Sequence, residues 1–566
     1  MNDENVSLMK RRILTTLCAL SCLTGIEAQL SSNPDKFLGN ISTAYQVDYG
    51  AEKYYTLWNQ ITGENESKWA SVEGTRGSYN WSGSDRLYNY ANQHSFPFKF
   101  HTLVWGAQFP AWLKNLSADE RYAAIVKWMD AVKKHYPNLA LIDVVNEAVE
   151  GHQPDTHYIS EALGGAGETG YDWIIKAFEL AYERWPNAIL IYNDFNTFQW
   201  NTDQYIDIVR TLRDAGAPID AYGCQSHDLT GCSASTLQAS MAKIQSALRM
   251  PMYITEYDIG ESDDQKQLND YKAQIPLLWE ADYCAGVTLW GYIYGKTWTG
   301  SDDNGTKGNS GLIREGKDAS GKTVYTDRPA MTWLREYMAS DAAKSAKSPF
   351  PGMKKEASLY VRPSAIRVTK GQPMSIRVRA ALRTKSIQSV SLYANGVLVG
   401  EKVAADGTSS DNTTAFDFEY TPAAKGKHSL RAVLTATDGS TYERLSSVTA
   451  FNERKPYRDV TLPGIIQFEN FDRGGEGYTF HDSDATNSGS TSYRTDGEGV
   501  DIVTGNGGYA IGYTSVGEWL EYTVNIAEGG IYSYEAVASC GNSDGGGFTM
   551  SRPSAFPNMP LARSIS

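Results

Sequence analysis

Two glutamates stand at or near the ends of apolar, β-prone runs: Glu147 closes the run 141–147, and Glu256 lies inside the run 252–258. Glutamate is seldom buried without a partner. A polar residue at the carboxyl end of a parallel strand reads as a reacting group rather than a packing one. Two carboxylates facing one cavity suit the cleavage of a glycosidic bond, in which one protonates the leaving oxygen and the other attacks the anomeric carbon. A lone Asn-Glu pair such as Asn146-Glu147 more often caps a turn, so the reading depends on the elements that hold the two groups.

Those elements follow a regular alternation. Eight β-prone runs, at residues 37–41, 61–69, 98–105, 141–147, 188–196, 221–227, 252–258 and 286–291, are separated by helical patterns. That alternation over residues 29–345 predicts an α/β catalytic domain, a (β/α)8 TIM barrel. The helices are legible too. Ser117 and Glu120 have the spacing of a capping box, and Ile125, Met129, Val132 and Tyr136 follow on one face before Pro137. A second helix over 173–185 ends at Pro186.

At 566 residues the chain exceeds one core. Residues 346–356, rich in Pro and Gly, read as a linker. Residues 357–455 lose the helical period and alternate as strands, with Asn395-Gly396 as a hairpin turn. An immunoglobulin-like β-sandwich is expected there. A Gly-rich, β-rich segment runs from 460 to 566.

With both glutamates on a barrel, the match becomes specific. Residues 37–340 resemble glycoside hydrolase family 10, the retaining endo-β-1,4-xylanases. The motifs that carry the resemblance are Glu64-Asn65 with Lys68-Trp69, His101 to Trp105, Asn146-Glu147, Asn193 to Asn196, Gln225 with His227, Glu256, and Trp290-Gly291. The resemblance implies Glu147 as general acid/base and Glu256 as nucleophile, with their carboxyls about 5–5.5 Å apart. It makes Asn146 the partner of a sugar 2-hydroxyl, and Gln225 and His227 the holders of Glu256, with Asp258 orienting His227. Glu64, Asn65, Lys68 and His101 would bond hydroxyls on the non-reducing side. Trp105, Trp290 and Trp298 would wall that side, and Phe195 would stack under the leaving sugar. Ionised Glu256 should raise the pKa of Glu147 and keep it protonated. The chain departs from the family at Gly106, where a second histidine is usual, at Phe195, usually Tyr, and at Tyr257, usually Leu. The loop 296–307 around Trp298 is long and polar.

The C-terminal segment resembles carbohydrate-binding module family 6, a jelly-roll sandwich, through Gln467 to Gly477, Tyr493-Arg494 and Gly512 to Tyr522. The resemblance implies a sugar-stacking role for Tyr493 and a structural calcium with Glu469 as ligand. From 551 the strand pattern stops, which predicts an incomplete jelly roll with open edges.

A net charge of −14 argues against nucleic acid, whose binding is dominated by basic contacts to phosphate. Lys10-Arg11-Arg12, the apolar run from Ile13 to Thr24, and Ile26-Glu27-Ala28 have the order of a secretory signal cleaved after Ala28. The run is too short for a transmembrane segment. A secreted or periplasmic protein follows, with Cys22 as a lipid-anchored, cell-surface alternative. Cys224 and Cys232 are close enough in sequence for a disulfide, and no cysteine pair has metal-ligand spacing. The expectation is a monomer that hydrolyses xylan or xylo-oligosaccharides without a catalytic cofactor. The alternatives are a related barrel acting on cellulose or mannan, and a carbohydrate-binding protein with an inactive barrel.

Overall fold

The computed structural model describes residues 29–300, 308–410, 413–494, 499–505, 507–515, 517–539, 547, 548 and 550. Residues 1–28, where a secretory signal is expected, residues 301–307 of the 296–307 loop, Cys540 and the tail from 551 lie outside them. Two compact units are present.

The first is a closed barrel of eight parallel strands: β1 (Phe37–Ile41), β2 (Ile61–Thr62), β3 (Phe98–Trp105), β4 (Leu141–Asn146), β5 (Ile189–Asp194), β6 (Ala221–Cys224), β7 (Met252–Tyr257) and β8 (Cys284–Leu289). Phe37 pairs with Gly286 to close it. Every strand residue is buried except half-buried Trp105. Continuous apolar runs are what strands covered on both faces require. The outer helices include α1 (Ser82–His94), α2 (Ala118–His135), α3 (Thr156–Ala162), α4 (Asp172–Arg184), α5 (Thr202–Asp214), α6 (Ala234–Leu248), α7 (Asp264–Glu280) and α8 (Pro329–Met338). The Ser117–Glu120 capping box is formed in both directions at the start of α2.

Strand ends are shorter than the sequence runs. β2 stops at Thr62, because the polar stretch from Gly63 to Lys68 turns before a short helix, Trp69–Val72. β4, β5 and β6 stop just before residues with left-handed backbone, Glu147 (φ 54°), Asn196 (φ 53°) and Ser226 (φ 72°). Such angles break a strand ladder and are uncommon outside glycine.

The barrel separates apolar and polar ends. Phe37, Leu141, Ile189, Ala221, Tyr253 and Ala285, all at the starts of strands, form an apolar floor with Phe350. Phe37 stacks on Tyr253 at 5.6 Å and Tyr253 on Phe350 at 6.1 Å. Residues 346–356, expected to be a linker, therefore pack on the barrel. Asn33 Nδ2 donates to the Ala346 carbonyl (2.9 Å), Gly352 N to Asp35 (2.7 Å), and buried Lys355 pairs with buried Asp220 (2.8 Å). The stretch places Phe350 against the apolar floor.

Cys224 and Cys232, close enough in sequence for a disulfide, do not form one. Cys224, Cys232 and Cys284 are free and buried. Cys224 closes β6 with its sulfur 4.0 Å from Tyr205 Oη, and burial pushes its thiol up to about 12.

A hairpin, β9 (Ile313–Lys317) with β10 (Thr323–Asp327), completes the first unit's sheets. The second unit holds β11 (Ala357–Pro363), β12 (Arg367–Thr369), β13 (Met374–Leu382), β14 (Ile387–Ala394), β15 (Val397–Val403), β16 (Thr408–Ser410), β17 (Thr413–Tyr420), β18 (Gly426–Ala436) and β19 (Thr441–Phe451). They form two sheets, ordered β11-β13-β17-β16 and β12-β19-β18-β14-β15, around Val361, Ile376, Val378, Leu392, Phe416 and Leu430. Asn395 (φ 50°) and Gly396 (φ 81°) make the two-residue turn between β14 and β15; positive φ at both positions matches the strand twist. Beyond 460 the described residues give only two-stranded pieces, such as Ile502–Gly505 with Gly508–Ile511, around Phe471, Phe480, Val500 and Ile502. Ile531 and Val537 stay exposed, because no strand from 527–539 pairs over them. Among the described residues, no helix is long and apolar enough to cross a membrane.

Candidate active site

The carboxyl ends of the barrel strands gather the polar residues. Glu147 follows β4, and its backbone N donates to the Asn193 carbonyl on β5 at 2.9 Å. Held in the left-handed region, it stores strain of about 1–3 kcal/mol of the kind tolerated at reacting positions. Glu256 lies within β7, buried.

One hydrogen-bond network joins the two. Gln225 Nε2 donates to Glu147 Oε1 (2.8 Å) and Asn146 Oδ1 (3.3 Å). Asn193 Nδ2 donates to Asn146 Oδ1 and to Glu256 Oε1, both at 2.8 Å. On its other oxygen, Glu256 meets His227 Nε2 at 3.2 Å, and His227 Nδ1 lies 3.0 Å from Asp258. Gln225 was expected to hold Glu256; it reaches Glu147 instead, because β6 lies between the strands that carry the two glutamates. Asp258 also accepts from Trp298 Nε1 at 2.6 Å, which fixes that ring edge-on to His227.

The charges respond to this packing. Burial pushes the Glu256 carboxyl up, but the bond from His227 and the positive field of His101, His227 and Lys99 hold it below the usual range. Burial opposes protonation of His227, yet Asp258 and Glu256 outweigh it and raise the imidazole to about 10. Glu147 was expected to be raised. Burial does push it up, but bonds from His152, Gln225 and Gln153 prevail and hold it at about 2.

On the neighbouring strands, Lys68 Nζ donates to Asn65 Oδ1 (3.1 Å) and sits 4.7 Å from the centre of the Trp105 ring. Burial lowers Lys68 against the raising field of Glu256, Glu64, Glu147 and Glu66. Burial raises Glu64, with Lys68 opposing. His101 Nδ1 meets Asp143 at 2.8 Å, and its ring lies edge-on to Trp290 at 5.6 Å. Trp105 Nε1 donates to Glu147 Oε2 at 3.0 Å. Phe195, after β5, packs against His152 with ring centres 3.7 Å apart and the planes tilted by 33°. The departure at Tyr257 is structural: its hydroxyl donates to Gln274 on α7.

Five site residues stand outside the sequence-derived set: Asn193, Asp143, Lys99, His152 and Gln153. Lys99 and Asp143 carried a readable signal as charges inside apolar runs. Asn193 was visible only as part of a motif. His152 and Gln153, in a Gly/Pro loop, carried none.

The C-terminal expectations fare differently. Tyr493 Oη donates to Asn470 (2.6 Å), and its ring packs on Tyr509 at 4.2 Å. Among the described residues, the acidic set close enough to share an ion is Asp482, Asp484 and Asp501. Glu469 is not in it; it lies buried in the turn Phe468–Asn470.

A family model described as glycosyl hydrolase family 10 matches residues 34–320. The chain is 44% identical over 299 residues to endo-1,4-beta-xylanase B of Cellvibrio japonicus, covering 53% of this chain and 45% of that protein. It is 30% identical over 254 residues to endo-1,4-beta-xylanase 1 of Humicola insolens, covering 43% and 58%. The chain thus spans about half the length of these curated relatives. Xylanase 10B of Thermotoga maritima superposes with a TM-score of 0.47 at 22% identity, over 55% of this chain and 98% of that one.

Proposed function

The chain belongs to glycosyl hydrolase family 10, and on that premise we propose that it is an endo-1,4-β-xylanase that cleaves internal bonds of xylan with retention of configuration. The observation that carries this is the single network, Glu147–Gln225–Asn146–Asn193–Glu256, that presents two buried carboxylates at one barrel mouth. Ionised Glu256 attacks the anomeric carbon while Glu147 protonates the leaving oxygen. Glu147 then takes a proton from water, which releases the sugar from Glu256. Asn146, with Oδ1 occupied, donates from Nδ2 to the 2-hydroxyl, a bond that tightens as the ring flattens. Glu64, Asn65, Lys68 and His101 hold the non-reducing side between Trp105, Trp290 and Trp298, and Phe195 supports the leaving sugar.

The test uses the full chain with xylan, carboxymethylcellulose and mannan, following reducing ends and product sizes, and with the first product's anomer read by NMR. Short xylo-oligosaccharides formed first as the β-anomer support the reading. An α-anomer first, or cleavage of another glycan alone, overturns it. The order of residues 10–28 supports export from the cytoplasm. The resemblance around Tyr493 supports glycan binding by the C-terminal segment, and retention of that segment on insoluble xylan tests it.

A further inference from the structure

Three donors converge on the Glu147 carboxylate, and one imidazole lies beside it. Gln225 Nε2 takes Oε1 at 2.8 Å, Trp105 Nε1 (3.0 Å) and Gln153 Nε2 (2.6 Å) share Oε2, and His152 Nε2 lies within ion-pair distance of Oε2 at 3.3 Å. A protonated carboxyl would turn its own hydrogen into this ring of donors, so the geometry is that of a carboxylate. A group proposed to protonate a leaving oxygen thus rests without the proton it must give. Of these groups only the His152 imidazole, when protonated, is acidic enough to release a proton, and its ring lies 3.7 Å from that of Phe195.

We propose that His152 is the proton store of the catalytic acid: it rests as an imidazolium paired with the Glu147 carboxylate and passes its Nε2 proton to Oε2 when a leaving sugar displaces its ring from Phe195. This rests on the hydrolase reading above. The transfer breaks one N–H bond and forms one O–H bond, and both partners become neutral. Glu147 then gives that proton to the glycosidic oxygen and regains one from water in the second step. His152 acts through Glu147 and is a positioning residue.

The loop reaches Glu147 because residue 106 has no side chain. A Cβ at Gly106 would lie 2.1 Å from Thr156 Oγ1 and 3.0 Å from Gln153 Cβ. The charged groups acting on His152 are Glu147 and, at the end of β5, Asp194; Glu150 on its own loop is exposed, and Phe195 and Gln153 carry no charge. The contact with Glu147 raises His152 against burial, with the charges of Glu147 and Asp194 adding to the rise. Asp194, bound by Ala148 N, Val149 N and Tyr192, is pushed by burial to about 7, so the test must separate the two.

Between the low constant of Glu147 and the high one of His152, the pair holds one proton, and the alkaline limit belongs to the pair. In the full chain, kcat/KM against pH is measured on an aryl xylobioside with a poor leaving group. His152→Asn should move the alkaline limb down by about one pH unit or more and leave the acid limb in place. Gly106→Ala, which drives the loop away, should do the same. With a dinitrophenyl leaving group, which needs no proton, the position of the alkaline limb should no longer differ between wild type and H152N. Histidine NMR titration should show the His152 constant falling in Glu147→Gln, while Asp194 is untouched by that change. An alkaline limb that stays in H152N, or a His152 constant equal in wild type and E147Q, overturns the proposal. If no glycan or glycoside is cleaved, the hydrolase reading fails, and the titration still decides the His152–Glu147 pair.

Discussion

Asn193 and Glu256 stand on β5 and β7, with β6 between them, and are joined by a 2.8 Å hydrogen bond from Nδ2 to Oε1. The bond crosses a whole strand because Gly223 on β6 leaves the space. A Cβ there would lie 2.7 Å from Asn193 Oδ1. Thr255 Oγ1 anchors the other end of the amide at 2.6 Å, so the Asn193 nitrogen can only face Asn146 and Glu256. The proposed nucleophile and the proposed 2-hydroxyl partner are set by one side chain.

Asn193→Ala should therefore lower kcat by about 10² or more, the scale for one lost preorganised donor, with a smaller change in KM. Asn193→Asp is the sharper probe. A second carboxylate beside Glu256 disfavours its ionised form, so the acid limb of kcat/KM should move to higher pH. An acid limb unchanged in N193D would show that the amide does not tune Glu256.

His227 makes stability depend on alkaline pH. Its proton is held more tightly in the folded chain, up to about 10, by Asp258 and Glu256 against burial. The gain is thus fully present below the unfolded value of about 6.5 and is lost as pH rises through about 10. Urea midpoints should fall between those limits in wild type, and His227→Asn should flatten the decline. Equal slopes in both proteins would remove His227 as its source.

The barrel was legible because its strands are buried on both faces and read as apolar runs, and both glutamates follow from their place at the ends of those runs. Strand ends were not legible. Glu147, Asn196 and Ser226 turn left-handed without glycine, an arrangement imposed by tertiary packing that no local propensity signals. His152 and Gln153 were invisible for a related reason: their approach to Glu147 depends on the missing side chain at Gly106, a contact between distant segments. The 346–356 stretch misled because Pro and Gly signal a break in secondary structure and say nothing about whether the chain there packs.

Phe350 tests that last point. It closes the floor by stacking on Tyr253, so Phe350→Ala should cost about 3–5 kcal/mol, read by urea unfolding of the barrel transition. The catalytic ends of the strands are at the opposite pole, so kcat and KM at temperatures where the variant is folded should stay near wild type. A variant as stable as wild type would return residues 346–356 to the role of a linker.

Asp143 on β4 accepts from His101 Nδ1 at 2.8 Å and pairs with Lys99 Nζ at 2.9 Å, all three nearly sealed from solvent. Burial raises the carboxyl, but Lys99 and His101 prevail and lower it, so its contribution is present above the unfolded value and lost only under acid conditions. Asp143→Asn strands the Lys99 cation in the barrel, which costs about 3–5 kcal/mol for a broken buried pair. Replacing both charges, as Lys99→Met with Asp143→Leu, should recover most of that loss, because desolvating the two charges nearly cancels their attraction. Catalysis should not recover with it. In the double variant His101 has no acceptor behind it, so its ring is free to turn, and KM for xylo-oligosaccharides should rise while the unfolding midpoint returns toward wild type. Recovery of both together would mean that Asp143 serves only the fold and that His101 is positioned by Trp290 and Trp105 alone.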